Sequence, residues 1–413
     1  FPWTRPVTLG LKPSVGCGDR LGLATPGHVR AVRDHRLVPI FPQQSIREMT
    51  RTGREPIDVM DDAVWGVFEE GWRNGFGADA DHLKTFEDVD RTVEAGFTFF
   101  TIDPSAYVDN DADADDASTL RAKAERLPWD ELRTQFDDYR RSYVGISHRI
   151  GDEEASFDDE SFLRAIVKYS AAVAHTARMH RHLQEQMAGR PFELEMSVDE
   201  TETPTSILEH YFVASELRRL GVAVVSLAPR FVGRLEKGVD YIGDLTEFER
   251  SLVQHVAIAR QMGPYKLSLH SGSDKFSLYP IFARLAGNLF HLKTAGTSYL
   301  EALRAIARID AGLFRKILGF AIERYETDKA TYHVSAELSN VPSPASLSDA
   351  QLPDLLDDFD SRQVLHVTFG SVLTRDEFSG PIRAALIRDE EVHYEAVKRY
   401  FDRHLAPFDG LAG

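Results

Sequence analysis

The stretch "LSLHSGSDKFSLYP" (residues 267–280) begins as a strand and ends as a helix. Leu267 and Leu269 alternate with more polar neighbours, which is the two-residue period of a strand with one apolar face. A polar turn follows, with an imidazole, hydroxyls, a carboxylate and an ammonium from His270, Ser271, Ser273, Asp274 and Lys275. Such groups are costly to bury unless they find partners or do chemistry. The stretch therefore predicts a strand–helix unit with a polar site where the strand ends.

The same order of strand and helix recurs along the chain. Short β-branched or aromatic runs predict strands at residues 13–18, 36–43, 95–105, 192–200, 222–229, 265–272, 290–296 and 363–371. Amphipathic sequence between them predicts helices, including a long one at 158–188. Eight such units favour a (β/α)8 barrel of the TIM type, and a doubly wound α/β sheet is the alternative. Residues 330–338 are a competing strand candidate.

An acidic, low-complexity segment interrupts this order after the third predicted strand. It contains "DNDADADDAS" (residues 109–118), which has little apolar surface to bury. We interpret residues 107–155 as a surface insertion within one catalytic domain that spans residues 1–413.

The composition argues against several kinds of partner. The net charge is −17, so nucleic acid and anionic membrane surfaces are repelled. No apolar run reaches the ~18 residues that a membrane span needs. The single cysteine, Cys17, excludes an intramolecular disulfide and cysteine-rich zinc sites, and low cysteine use fits the cytoplasm. We expect a cytoplasmic protein that acts on a small molecule, and a homo-oligomer is compatible with the sequence.

Polar side chains are predicted to share one face of several strands. In (β/α)8 barrels the chemistry lies at the C-terminal ends of the strands, and side chains two residues apart point the same way. The pairs that share a face are Thr101 and Asp103, Glu193 and Glu195, Ser197 and Asp199, Lys266 and Ser268, His291 and Lys293, and His366 and Thr368. A lumen filled only for packing would carry Val, Ile and Leu. The pattern indicates a polar site, and a structural ion-pair network in the lumen is the alternative.

A divalent metal ion suits this set of side chains. His270, His333 and His366 lie near predicted strand ends and are our candidate ligands, to which Glu195 or Asp103 would add an oxygen. Imidazole and carboxylate ligands together suit Zn, Mn, Ni or Fe(II). The chain has no short metal motif such as H-E-x-x-H, so the prediction depends on strand position alone.

The loop after the first strand, "GCGDRLG" (residues 16–22), resembles a dinucleotide fingerprint only in part. Its third glycine position is Leu21, and Asp19 and Arg20 stand where a helix would receive a pyrophosphate. We instead expect Asp19 and Arg20 to bind substrate, with Arg20 holding a carboxylate in a bidentate pair.

Four longer segments resemble one known family. They are "CGDRLGLATPGHVRA" (17–31), "FTFFTIDPS" (97–105), "HSGSDKFSLYP" (270–280) and "LKTAGTSYLEALR" (292–304), and they look like the tagaturonate epimerases. The resemblance spans nearly the whole chain. It implies a cytosolic enzyme that depends on a divalent metal and interconverts D-fructuronate and D-tagaturonate, and some members act on neutral ketohexoses.

The implied reaction needs groups that move protons and stabilise oxyanions, and the sequence offers candidates for both roles. The inverted carbon is β to the ketone, so simple removal of an acidified C–H cannot invert it, whereas retro-aldol cleavage and re-closure can. We expect Asp103 and Glu195 to be the acid–base pair and Lys266 to help stabilise oxyanions. Ser271, Asp274 and Lys275, together with Lys293, would bind the sugar hydroxyls and the carboxylate. The alternative is that residues 271–275 only cap the helix that follows them.

Other functions remain open on the sequence alone. A metal-dependent sugar isomerase or aldolase on the same barrel needs similar groups. A non-catalytic sugar-acid binding protein would keep the barrel without needing carboxylates beside a metal. Transfer of a hydride needs a nicotinamide site that the sequence does not indicate.

Overall fold

Eight parallel strands form a closed barrel in the computed structural model, which describes residues 1–411. In chain order the strands are β1 (Ser14–Gly16), β2 (Val38–Ser45), β3 (Gly77–Leu83), β4 (Phe99–Ile102), β5 (Ser147–Ile150), β6 (Glu153–Ser156), β7 (Glu193–Ser197), β8 (Ser226–Ala228), β9 (Lys266–Leu269) and β10 (Phe290–Lys293). The barrel order is β1-β10-β9-β8-β7-β4-β3-β2, while β5 and β6 form a separate antiparallel hairpin. The predicted (β/α)8 barrel is confirmed.

Helices surround the barrel and extend beyond its last strand. They are α1 (Thr25–Val32), α2 (Ile46–Thr52), α3 (Pro56–Glu69), α4 (Phe86–Glu94), α5 (Ala117–Ala124), α6 (Trp129–Leu132), α7 (Phe136–Tyr143), α8 (Asp159–Met187), α9 (Ile207–Arg219), α10 (Leu245–Met262), α11 (Tyr279–Ala286), α12 (Thr297–Ile309), α13 (Ala311–Asp328), α14 (Phe359–Val367), α15 (Phe369–Leu373), α16 (Asp376–Arg388) and α17 (Glu390–Leu405). The predicted long helix at 158–188 is α8.

Two strand predictions were wrong. Residues 363–371 form parts of α14 and α15, because Asp358 caps α14 and the apolar side chains pack against other C-terminal helices. The eighth barrel strand is instead β3, which the sequence analysis missed. The competing candidate at 330–338 forms short 3-10 turns and irregular chain.

Two large apolar clusters stabilise the architecture. The larger one lies between the barrel strands and the helices around them, and it includes Val15, Phe100 and Leu267. The second is formed mainly by the helices α12 to α16, whose buried side chains include Leu300 and Phe369. The C-terminal helices therefore have a core of their own, and the chain between α13 and α14 reaches over the barrel mouth.

The segment between β4 and α8 contains α5, α6, α7 and the β5–β6 hairpin. Its acidic residues have partners in the body of the protein. The buried ammonium of Lys168 lies 2.8 Å from Asp113 Oδ2 and 3.1 Å from Glu209 Oε1. These contacts attach the segment to α8 and α9. We propose that residues 107–155 are an insertion within the barrel domain. Within residues 1–411, no helix has the length and apolar character needed to cross a membrane.

Candidate active site

A cavity of about 400 Å³ opens at the C-terminal ends of the barrel strands. This volume is in the range of small-molecule sites. Its wall combines strand ends with three covering segments, namely residues 229–238, residues 295–296 and residues 332–333. Glu236 attaches the first of these segments to the chain just after the third, because its Oε2 accepts hydrogen bonds from Ser335 N at 3.0 Å and Oγ at 2.7 Å.

Lys293, at the end of β10, is at the centre of the cavity floor. Its ammonium donates to Asp81 Oδ1 and Thr101 Oγ1, both at 2.7 Å. It also lies 2.9 Å from Asp79 Oδ2 and 2.9 Å from Glu195 Oε1. Burial alone would lower the pKa of Lys293, but the three surrounding carboxylates raise it well above its ordinary value. Because all its nearest acceptors are protein groups, the ammonium organises the carboxylates.

Asp81, His82 and His270 form a group suited to a cation. One side-chain donor atom from each lies within 4.8 Å of the others. Asp81 and His82 come from the end of β3, and His270 directly follows β9 on the far side of the lumen. All three line the cavity, so the group is reachable from the barrel mouth. A second such group, His82, Asp103 and Glu200, shares one imidazole with the first.

Neighbouring carboxylates orient the two imidazoles. His82 Nδ1 lies 3.0 Å from Asp103 Oδ2, and His270 Nε2 lies 2.6 Å from Glu195 Oε1. Asp199 Oδ1 lies 3.4 Å from His270 Nδ1. The backbone of His82 has φ +55, in the left-handed region that residues other than glycine rarely adopt. His82 lies within the irregular stretch of the β3–β4 pairing between Ala80 and Leu83, and its side chain lines the cavity.

Charge density in this site shifts several pKa values. Burial lowers the pKa of His82, but Asp81 and Asp103 outweigh that effect and raise it to about 10. Burial and Lys293 likewise lower the pKa of His270, whereas Asp199 and Glu195 raise it to about 9. Burial raises the pKa of Asp81, yet Lys293 and the two imidazoles bring it down to about 2. The site is thus rich in negative charge that only a few cationic groups balance.

Arg20 lines the cavity from the loop after β1. Its Nε and Nη2 donate to Glu48 Oε1 at 2.9 and 2.7 Å, and its guanidinium stacks on the Phe369 ring at 3.7 Å. Its Nη1 is buried and has no hydrogen-bond partner in the described structure. Asp19, also expected in the site, instead accepts from the backbone N–H groups of Leu21, Gly22 and Ala24 and holds the loop before α1 in place.

Several expected site residues lie away from the cavity wall. Asp274 accepts from Arg362 and Tyr400, and Lys275 donates to the carbonyls of Glu236, Val239 and Ser273. Both therefore hold the loop after β9 in place. Lys266 lies four residues before His270, about 13 Å deeper along the strand, where it donates to Ser14 Oγ at 3.0 Å. Asp103 and Glu195 lie behind the imidazoles that they contact.

The two other expected metal ligands are near the cavity but outside the cation group. His333 lies on an exposed stretch of the covering chain, and His366 belongs to α14, where its ring packs on Gly296. Placing His366 at a strand end was wrong because residues 363–367 are helical. Of the remaining predictions, Ser271 and Lys293 do line the cavity, and Lys237 donates to Ser271 Oγ at 2.6 Å.

Sequence reasoning missed Asp81 and His82 because it missed β3. The strand reads "GADADHL", and Gly, Ala and Asp are all depleted in strands. The available signal was the alternation of Asp79 and Asp81 with small apolar residues. That signal is typical of a strand whose one face lines a polar lumen.

Comparison with known proteins places this chain in a family. A family model described as tagaturonate epimerase matches residues 1–408. The chain belongs to the tagaturonate epimerase family. It is similar to a tagaturonate/fructuronate epimerase of Thermotoga maritima, with 48% identity over 411 residues that cover 99% of this chain and 83% of that protein.

Solved structures of this family have the same fold. A glycerol complex of a fructuronate-tagaturonate epimerase from Cohnella laeviribosi superposes with a TM-score of 0.93 at 40% identity, covering 99% of this chain and 84% of that one. The native crystal structure of the same protein gives a TM-score of 0.92 at 40% identity and the same coverage. The barrel described above is therefore the family fold.

Proposed function

We propose that this protein interconverts D-fructuronate and D-tagaturonate. The observation that carries the proposal is the 48% identity to the Thermotoga maritima epimerase over 99% of this chain. The cavity of about 400 Å³ is large enough for a ketohexuronate, and its wall offers many hydrogen-bonding groups. Neutral ketohexoses, which have a hydroxymethyl group in place of the carboxylate, are a secondary substrate class in this proposal.

We further propose that Asp81, His82 and His270 hold a divalent cation. Their donor atoms fit such an ion because they combine a carboxylate with two imidazoles within 4.8 Å of one another. A further carboxylate oxygen, Glu195 Oε2, is buried and has no hydrogen-bond partner in the described structure. Asp103 and Glu195 would orient the two imidazoles, as carboxylates that accept from ligand histidines do in many metal sites. Zn, Mn, Ni and Fe(II) all suit this donor set.

The reaction requires inversion of a carbinol carbon β to a ketone. In a retro-aldol step the carbinol O–H loses its proton, the O–H electrons form an aldehyde, and the adjacent C–C bond breaks. The electrons of that bond pass to the ketone and give an enediolate. Turning the aldehyde exposes its other face, and re-forming the bond inverts the centre. A bound divalent cation supplies electrostatic stabilisation of the enediolate oxygens.

Asp199 is the carboxylate that we assign to the carbinol proton. It lines the cavity, and its Oδ1 accepts from Ser197, so Oδ2 takes the proton and later returns it. Burial raises its pKa, but His270 and His82 bring it well below the ordinary value, so the carboxylate is ionised before reaction. Asp103 and Glu195, which the sequence analysis predicts in this role, lie behind His82 and His270, and we assign them to positioning.

Proton NMR of the purified protein with D-fructuronate tests the proposed function. We expect D-tagaturonate to appear at the expense of substrate, with loss of activity after chelation and recovery on adding a divalent ion. Accumulation of two smaller fragments would indicate an aldolase, and an aldose product would indicate an isomerase. Absence of any product in the metal-loaded protein would overturn the proposal.

A further inference from the structure

A second polar region of the cavity lies where α12 begins. The helix starts at Thr297 directly after Ala295 and Gly296, which line the cavity, and no side chain caps its first turn in the described structure. The first N–H groups of such a helix have no partner within it. The helix has 13 residues, so its N-terminus also carries a partial positive charge.

Three buried side chains lie in or beside this helix start, and each has an unpartnered polar atom. They are Arg20 with Nη1, Thr297 with Oγ1 and His366 with Nδ1, and their exposed fractions are 3%, 1% and 2%. Unpartnered buried polar atoms are rare in native proteins, because each costs free energy until it finds a partner. Three of them at one helix start point to a ligand that supplies acceptors.

The backbone around this helix start is packed closely. The loop that carries Arg20 lies directly on the turn before α12, since a Cβ on Gly18 would overlap the backbone of Ala295. Ser298 Oγ donates to Gly18 O, which fixes the two segments to each other. On the other side, a Cβ on Gly296 would overlap the ring of His366. The loop that carries Arg20 and the ring of His366 are thus held beside the first turn of α12.

The chemistry of these groups selects an anion. Glu48 holds the guanidinium of Arg20 by Nε and Nη2, and Phe369 covers its face, which leaves Nη1 as the remaining donor group. Burial and Arg20 keep His366 neutral by lowering its pKa well below the ordinary value. A neutral imidazole and a hydroxyl can donate without adding charge, and an N-terminal helix turn is a known anion-binding arrangement.

We propose that Arg20, the first turn of α12, and His366 form a subsite for the terminal carboxylate of a hexuronate. This inference rests on the proposed function, and it assigns the preference for a uronate over a neutral ketose to this subsite. The cation group and the subsite line the same cavity, and Lys293 of the floor lies only three residues before Gly296. A ketohexuronate can therefore present its ketone end to the floor and its carboxylate to α12.

Paired substrates test the subsite. The ratio of kcat/KM for D-fructuronate to that for D-fructose is measured in the wild type and in Arg20→Gln. We expect the uronate value to fall by between about 10- and 100-fold, the effect of losing a hydrogen bond to a charged group, while the ketose value changes by less than about threefold. Equal losses for both substrates would overturn the proposal, and the proposed function would still stand because the wild type turns over the uronate.

Two further variants keep the test decisive. Thr297→Val removes only the unpartnered hydroxyl and keeps the shape of the side chain, so it serves if Arg20→Gln fails to fold. Arg230→Gln removes the same charge from another part of the cavity wall, and we expect it to lower the uronate value by less than about threefold. If Arg230→Gln lowers the ratio as much as Arg20→Gln, the preference comes from the general charge of the cavity and the subsite is wrong.

Titration calorimetry with D-gluconate and neutral D-glucitol extends the comparison to ligands that do not react. An equal loss of affinity for both ligands in Thr297→Val would also contradict the subsite.

Discussion

Lys293 at the end of β10 donates a 2.7 Å hydrogen bond from its ammonium to Asp81 Oδ1 at the end of β3, across the mouth of the barrel. The bond links two strands that are not neighbours in the sheet. It keeps the carboxylate of Asp81 beside the two imidazoles of the cation group. The stability of the barrel mouth and the arrangement of the proposed metal site therefore depend on the same contact.

Replacing this ammonium is expected to destabilise the metal-free protein. Lys293→Met leaves Asp79, Asp81 and Glu195 buried without their shared cation, and removing one partner of a buried ion pair typically costs about 3–5 kcal/mol. Urea unfolding of chelator-treated protein measures the difference. Lys84→Met is the matched control, because Lys84 is 46% exposed in its pair with Asp103 and should change stability by less than about 1 kcal/mol. Equal midpoints for Lys293→Met and the wild type would show that the ammonium is not needed there.

Asp103→Asn distinguishes a positioning role from a catalytic one. Asp103 accepts from His82 and does not line the cavity, so its replacement should weaken metal affinity by about 10- to 100-fold through a poorly oriented imidazole. At saturating metal, kcat should return to within about tenfold of the wild type. Metal affinity is measured by competition with a coloured chelator. A large loss of kcat at saturating metal, with affinity unchanged, would restore Asp103 as an acid–base residue.

Asp199→Asn should reduce turnover without reducing metal binding, which is the reverse of the result expected for Asp103→Asn. Loss of the group that carries the carbinol proton is expected to lower kcat by about 10²- to 10⁴-fold, while metal content by elemental analysis stays near that of the wild type. Glu200→Gln is the neighbouring control, since Glu200 also lines the cavity but is paired with Arg47 at 2.6 Å. If Glu200→Gln is the more damaging change, the assignment of the base moves to that residue.

Buried histidines outside the site predict a loss of stability in acid. Burial lowers the pKa values of His28, His255 and His393 to about 4, below the ordinary value of 6.5. Between these values the unfolded chain binds more protons than the folded one. The stability from neutral burial is therefore complete above pH 6.5 and is lost as the pH falls toward 4.

His393→Leu tests this acid loss directly. Both ring nitrogens of His393 are buried without a hydrogen-bond partner in the described structure, so an apolar side chain is tolerated there. His28 and Asp19 are the titratable groups that interact electrostatically with it. We expect the variant to lose less stability than the wild type between pH 7 and pH 4, by up to about 3 kcal/mol. Exposed His333→Leu is the control, and parallel curves for His393→Leu and the wild type would contradict the prediction.

The barrel was predictable from sequence because most of its strands are short apolar runs that alternate with helices. Seven of the predicted strands overlap observed ones, from β1 to β10. The failures have one physical origin, which is that local composition does not show what a segment packs against. Residues 363–371 look like a strand but bury their apolar side chains among helices, whereas β3 is polar and is a strand because both its neighbours pair with it.

The candidate site was predictable only where parity, meaning the alternation of side chains between the two faces of a strand, was sufficient to place a residue. His270 and Lys293 were found by parity, and both line the cavity. Parity could not distinguish the cavity layer from deeper layers, so Lys266 was placed in the site although it lies near the bottom of the lumen. It also could not indicate that Asp274 and Lys275 turn away, because their partners come from α14, α17 and the loop before α10.

The central claim is that one divalent cation binds between Asp81, His82 and His270. The most direct measurement is an anomalous difference map from a crystal of the metal-loaded protein, recorded at the absorption edge of the added ion. The account predicts one strong peak with an Asp81 oxygen and imidazole nitrogens of His82 and His270 at about 2.0–2.2 Å. A fully loaded crystal whose peak lies at His333 and His366, or elsewhere outside the floor of the cavity, would contradict it.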